Sequence, residues 1–181
     1  SLINLQDASI RTGAQAHEAF AEIRDRIFTM AMVHERLYQS DSYSAINMEE
    51  YIRRLAGQLL HIYSKGNTVE CRFDIEDLNV DINQAIPCGL IYNELITNAL
   101  KHAFRGRKKK ILRISLRKTE RGTYVMGVGD NGRGLPSDVD IRKGDTLGLR
   151  LITVLTEQLE GTLSVDVGGG THVSVEFPPL Q

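Results

Sequence analysis

Four short polar motifs lie along the chain in a fixed order, and each could contribute to a ligand site. Residues 83–104 read as a long helix. At about 100° per residue, Glu94, Asn98 and Lys101 fall within one narrow stripe of it. A carboxylate, a carboxamide and an ammonium are thus brought together, while Tyr92, Leu95, Ile96, Ala99, Leu100 and Ala103 cover the other side as the core face. A plain solvated face fits this triplet equally well. The second motif is Asp130-Asn131-Gly132-Arg133-Gly134, directly after a strand predicted at 123–129. Tyr124, Met126 and Val128 share parity with Asp130, so its carboxylate is expected on the buried side. A buried carboxylate is costly unless it accepts strong hydrogen bonds, and an adenine amino group is a suitable donor. The glycines let the backbone turn sharply and approach a ligand, although Asp-Asn-Gly is also an ordinary turn signal. The third motif, Thr146-Leu147-Gly148-Leu149-Arg150, opens a helix, where free backbone N–H groups and the positive dipole end favour phosphate. The fourth, Gly169-Gly170-Thr171, leads into a strand and places a hydroxyl within reach of a ligand, or forms a plain hairpin.

The elements that position these motifs follow from periodicity. Asn47 and Glu50 resemble a capping box for a helix running to about Ser64, with Tyr51, Leu55, Leu59 and Ile62 inward and Lys65-Gly66-Asn67 as its stop. Val69, Cys71, Phe73 and Ile75 alternate with polar residues as a half-buried strand. Leu112, Ile114 and Leu116 make another strand, Leu147 to Gln158 a helix, and 162–167 and 171–177 two final strands. Residues 131–146 read as a Gly/Asp-rich loop. The N-terminal forty residues differ. Phe20, Ile23, Ile27, Met30, His34 and Leu37 recur at spacings of three and four, as in a helical hairpin, with a turn at Thr12-Gly13-Ala14. The predicted fold class is α+β, with helices on one face of a mixed, mostly antiparallel sheet.

Composition narrows the partners. The 181 residues carry a net charge of −1, which gives no global pull toward nucleic acid or membrane. The basic run Arg105-Gly106-Arg107-Lys108-Lys109-Lys110 lacks interleaved aromatics and reads as a solvated loop. The two cysteines, Cys71 and Cys88, have no metal-like spacing, and a reduced cytosolic protein is expected. No apolar run approaches the roughly 20 residues needed to span a bilayer, so no membrane contact is expected.

Taken together, ExxxNxxK on a helix, DxGxG after a strand, a loop into Gly-Leu-Arg and Gly-Gly-Thr before a strand resemble the GHKL (Bergerat-fold) ATP-binding domain over residues 47–179. The resemblance implies a two-layer sandwich that binds ATP with Mg²⁺. Asn98 would coordinate the metal, Glu94 would act as base or orienting group, and Lys101 and His102 would help with phosphates. Asp130 would read adenine, Gly132 and Gly134 would shape the pocket wall, and residues 135–146 would form a lid. Leu147, Gly148, Leu149 and Thr171 would complete the nucleotide site. The segment Met32 to Ser40 resembles the second dimerisation helix of HisKA_2 sensor histidine kinases, and Ser1 to Gln6 resembles the stretch after that class's phosphoacceptor box. Residues 1–42 are then a truncated dimerisation and phosphotransfer hairpin, and 43–181 the catalytic domain. The acceptor His would lie upstream of Ser1, with His34 a packed seam residue. The implied partners are ATP, a response regulator receiver domain and a second copy through the hairpin. A stand-alone regulator such as an anti-sigma serine kinase is the alternative.

Overall fold

The computed structural model describes residues 45–64, 68–135 and 147–180, together with Phe20, Ile23, Arg24, Ile27 and Ala31, which are helical. The predicted N-terminal hairpin with its turn and His34, the stop at Lys65-Gly66-Asn67 and the lid beyond Leu135 otherwise lie outside the described residues.

Short strands β1 (Ala45–Asn47) and β3 (Asn79–Asp81) pair antiparallel and bracket helix α1 (Met48–Tyr63) and strand β2 (Glu70–Ile75). Helix α2 (Ile82–Asn98) follows and continues into one π-helical turn, Ala99–Ala103. Then come β4 (Ile111–Lys118), β5 (Tyr124–Asp130), helix α3 (Leu147–Gln158), β6 (Thr162–Asp166) and β7 (His172–Phe177). The five-stranded sheet has the order β2-β4-β5-β7-β6. Only β2–β4 is parallel, and its crossover carries α2. The predicted α+β sandwich is therefore what forms. The small β1–β3 pair was not legible, because three-residue strands carry no period.

Local chemistry explains the helix starts. Asn47 Oδ1 accepts from Glu50 N at 2.9 Å, as the capping pattern predicts, and Asp81 Oδ1 accepts from Asn83 N at 2.8 Å. The sheet is one-sided. Leu112, Ile114, Leu116, Met126, Val175 and Phe177 are buried under the helices, while Arg113, Arg117, His172 and Glu176 face out.

The plain solvated face that would also have suited the Glu94, Asn98 and Lys101 triplet does not form, since Glu94 is buried and Asn98 and Lys101 are half-buried. Every residue from Pro87 to Thr97 is buried, Glu94 included. Contacts with α1, α3 and the sheet cover most of the helix. A helix so covered loses the polar face that amphipathic reading assumes. At its first turn, the buried Gln84 clasps the C-terminal tail: Nε2 donates to Pro178 O at 2.7 Å and Oε1 accepts from Leu180 N at 3.1 Å.

Beneath α2, the Tyr92 hydroxyl donates to Ser115 O at 2.6 Å. Burial holds the Tyr92 phenol well above its ordinary value of 10.0, and likewise raises the Tyr51 phenol and the Cys88 thiol. The unfolded chain ionises these groups near 9.0 to 10.0, while the folded chain keeps them neutral. Their contribution to stability is therefore whole below that range and falls as pH rises above it. The expected loss is about 1.4 kcal/mol per pH unit for each group. Urea titrations at about pH 8 and pH 10.5 should show this fall. Tyr92→Phe should be less stable by about 1 kcal/mol at the lower pH and show a shallower fall.

Candidate functional site

A cavity of about 380 Å³ opens between α2, the end of β5, the start of α3 and the approach to β7. Its apolar walls come from Val128 and Val173, which pair across β5 and β7, and from Leu95, Ala99 and Ala103 on the helix. Glu94, Asn98 and His102 supply polar groups from one side, and Asp130 and Thr171 from the other.

The lining residues 94, 98 and 102, and 95, 99 and 103, run from the α-helix into the π turn. A regular α-helix keeps residues three and four apart on one face. A turn closed by i→i+5 bonds holds one residue more, so the face advances with longer spacing. His102 is brought to the cavity and Lys101 is carried past it. Lys101, placed beside Glu94 and Asn98 by an ideal helical wheel and given a phosphate and catalytic role by the family resemblance, is not among the lining residues. Its Nζ instead lies over the Tyr63 ring of α1, 5.5 Å from the centroid.

Asp130 is fixed by backbone amides. Its Oδ1 accepts from Gly132 N at 2.7 Å and from Thr171 N at 3.3 Å, and its own N–H donates to Thr171 O at 2.8 Å. Neither of these carboxylate bonds uses Oδ2, although Asp130 lines the cavity. Two glycines make this junction possible. A Cβ on Gly170 would come 2.0 Å from Asp130 O, and one on Gly132 would come 2.4 Å from Ala103 O. Gly132 thus packs behind the wall, while Gly134 lines the cavity. Asn131 serves the fold: its Oδ1 accepts from Ile111 N at 2.8 Å and its Nδ2 donates to Lys109 O at 3.0 Å. The basic run, exposed from Arg105 to Lys109, is tied to the same loop by Arg107 Nη2 donating to Gly132 O at 2.7 Å.

At the far end, Leu147, Gly148 and Leu149 line the cavity from the start of α3. Glu94 accepts at Oε1 from Asn93 Nδ2 at 3.3 Å, and Gly148 is so close that a Cβ there would stand 2.6 Å from Glu94 Oε2. The structure therefore brings Glu94, Asn98, His102, Asp130, Gly134, Leu147, Gly148, Leu149 and Thr171 to one cavity. Leu135 begins the expected lid, while sequence reasoning missed Arg133, the apolar Leu95, Val128 and Val173, and the small helix residues Ala99 and Ala103. Arg133 sat inside the DxGxG motif, and the alanines lay one and five residues after Asn98.

Comparison with known proteins fits this geometry. The family described as histidine kinase-, DNA gyrase B-, and HSP90-like ATPase matches residues 83–181, and the chain belongs to it. A second family model, HisKA_2, described as histidine kinase, matches residues 1–63. Blue-light-activated histidine kinase 2 of Erythrobacter litoralis is 31% identical over 137 residues, covering 75% of this chain and 39% of that protein. Sensor histidine kinase PdtaS of Mycolicibacterium smegmatis is 30% identical over 98% of this chain and 36% of its own length. The chain thus spans well under half of these relatives. The solved histidine kinase domain of the Erythrobacter litoralis EL346 blue-light activated histidine kinase superposes with a TM-score of 0.81 at 23% identity, covering 98% of this chain and 90% of that one. No described helix is long and apolar enough to cross a membrane.

The glycine contacts separate two kinds of constraint. At Gly170 an added methyl meets a backbone carbonyl that cannot move, at φ 143°. At Gly148 it meets the mobile end of a side chain. Gly170→Ala should cost about 3 kcal/mol or more, and Gly148→Ala under about 1 kcal/mol. Chemical denaturation of both variants checks the contrast.

Proposed function

We propose that this chain is the Mg-ATP-binding catalytic part of a two-component sensor histidine kinase. In this reading its γ-phosphoryl group passes to a His upstream of Ser1 and then to an Asp of a response regulator receiver domain. The observation that carries the reading is the cavity itself, with Asn98 and Asp130 on facing walls. The open Oδ2 of Asp130 suits the exocyclic amino group of adenine, while Oδ1 stays bound to backbone amides. The Val128–Val173 floor suits the flat face of a base.

The donor set fits a hard divalent cation. Asn98 offers one oxygen, enough for Mg²⁺, which keeps water and phosphate as its other ligands. When bound, the cation would neutralise charge on the phosphates. The amides at the start of α3, near Gly148, would hold phosphate oxygens at the positive end of the helix dipole, and His102 would add a polar contact. Glu94, held by Asn93 beside that helix start, would orient the accepting group or take its proton. Catalysis of this kind is mostly positioning and electrostatics. The segment from Leu135 into residues 136–146 would serve as the lid, and residues 1–42 as the dimerisation hairpin. The HisKA_2 match over residues 1–63 favours the histidine kinase over a stand-alone serine kinase regulator.

Calorimetry with a non-hydrolysable ATP analogue, with and without Mg²⁺, tests the reading. Wild type should bind more tightly with Mg²⁺. Asn98→Ala should lose that difference, and Asp130→Ala should lose the preference for adenine over guanine, an effect of about 2 kcal/mol. Binding that ignores both substitutions would sink the proposal. Incubation with labelled ATP should leave no acid-labile phosphate on His34.

A further inference from the structure

The described arginines near the cavity have divided roles. Arg107 is spent on the fold, with its guanidinium bonded to Gly132 O. Arg133, one residue further along the same loop, lines the cavity and is exposed. Among the described residues its guanidinium has no hydrogen bond or ion pair.

Its backbone, by contrast, is held firmly. Arg133 N donates to Ala103 O at 3.1 Å. Gly132 before it leaves no room for even a methyl against Ala103, and Gly134 after it takes a left-handed φ of 78° beneath Val167 Cγ1. A long cationic side chain is thus mounted on a rigid base at the cavity edge with no structural partner among the described residues.

Position decides what it would meet. The contacts of Gly132 and Arg133 with Ala103 fix this loop at the C-terminal end of the helix. Glu94 and Gly148 mark the other end of the cavity. Nine residues separate Glu94 from Ala103, roughly 13 Å at about 1.5 Å per residue. Asp130, the adenine reader of the proposed function, lies on the same loop as Arg133 and at the same end. A guanidinium is planar, weakly hydrated and suited to stacking on a flat ring.

Resting on that reading, we propose that Arg133 is a specificity-determining residue that closes over the purine base by stacking, rather than a phosphate clamp. Lysine would not replace it, because an ammonium keeps the charge without the plane.

The test is calorimetry on the 181-residue chain as wild type, Arg133→Ala and Arg133→Lys, with ATP, ADP and adenosine as probes at low and high salt. Melting temperatures within a degree or so of wild type, expected for an exposed side chain, confirm folding. Both variants should weaken all three ligands by the same factor, about five- to tenfold, with little dependence on salt. Unchanged affinity in Arg133→Ala would overturn the inference. So would a loss that grows with the number of phosphates and is restored by lysine. A wild type that binds none of the three probes would instead defeat the nucleotide reading and the Arg133 inference with it.

Discussion

One carboxylate oxygen ties the site to the fold. Asp130 Oδ1 gathers the amides of Gly132 and Thr171, so the end of β5, the loop after it and the start of β7 meet at a single acceptor. This closeness is available only because Gly170 and Gly132 have no side chains: at both, a Cβ would fall well inside contact distance of a backbone carbonyl. With one oxygen committed, the other keeps a fixed direction at low entropic cost. The cavity owes its definition to this junction more than to any of its apolar walls.

Much of this was legible in the sequence, and the reasons are specific. The parity of Tyr124, Met126, Val128 and Asp130 predicts a carboxylate on the covered side of the sheet, and period two leaves little freedom in that prediction. The glycines of DxGxG and of Gly168-Gly169-Gly170 announce close approach, although the sequence does not say what approaches. Asn47 and Asp81 act locally and so read locally.

The helix was harder to read, for two physical reasons. A largely covered helix shows little wet side, so the wheel that set Glu94 against a core face divided residues that are buried together from Pro87 to Thr97. Of the two residues expected at the phosphates, the π turn leaves His102 at the cavity and Lys101 off its lining. Nothing in Ala99-Leu100-Lys101-His102-Ala103 announces that change, since i→i+5 closure depends on what the turn packs against rather than on propensity. The role of Asn131 was hidden likewise: its turn-forming character is evident, but its bonds to Ile111 and Lys109 bridge a separation of about twenty residues.

The clasp of Gln84 on the C-terminal tail has a consequence for where this folding unit stops. The sheet ends at Phe177, yet both halves of a buried carboxamide are answered only by residues 178 and 180. Trimming the chain at the last strand would remove the partners of both a donor and an acceptor at the root of the central helix. The extent of the unit is therefore set by a side chain from its middle, and residues 178–180, which look loose, act as its latch.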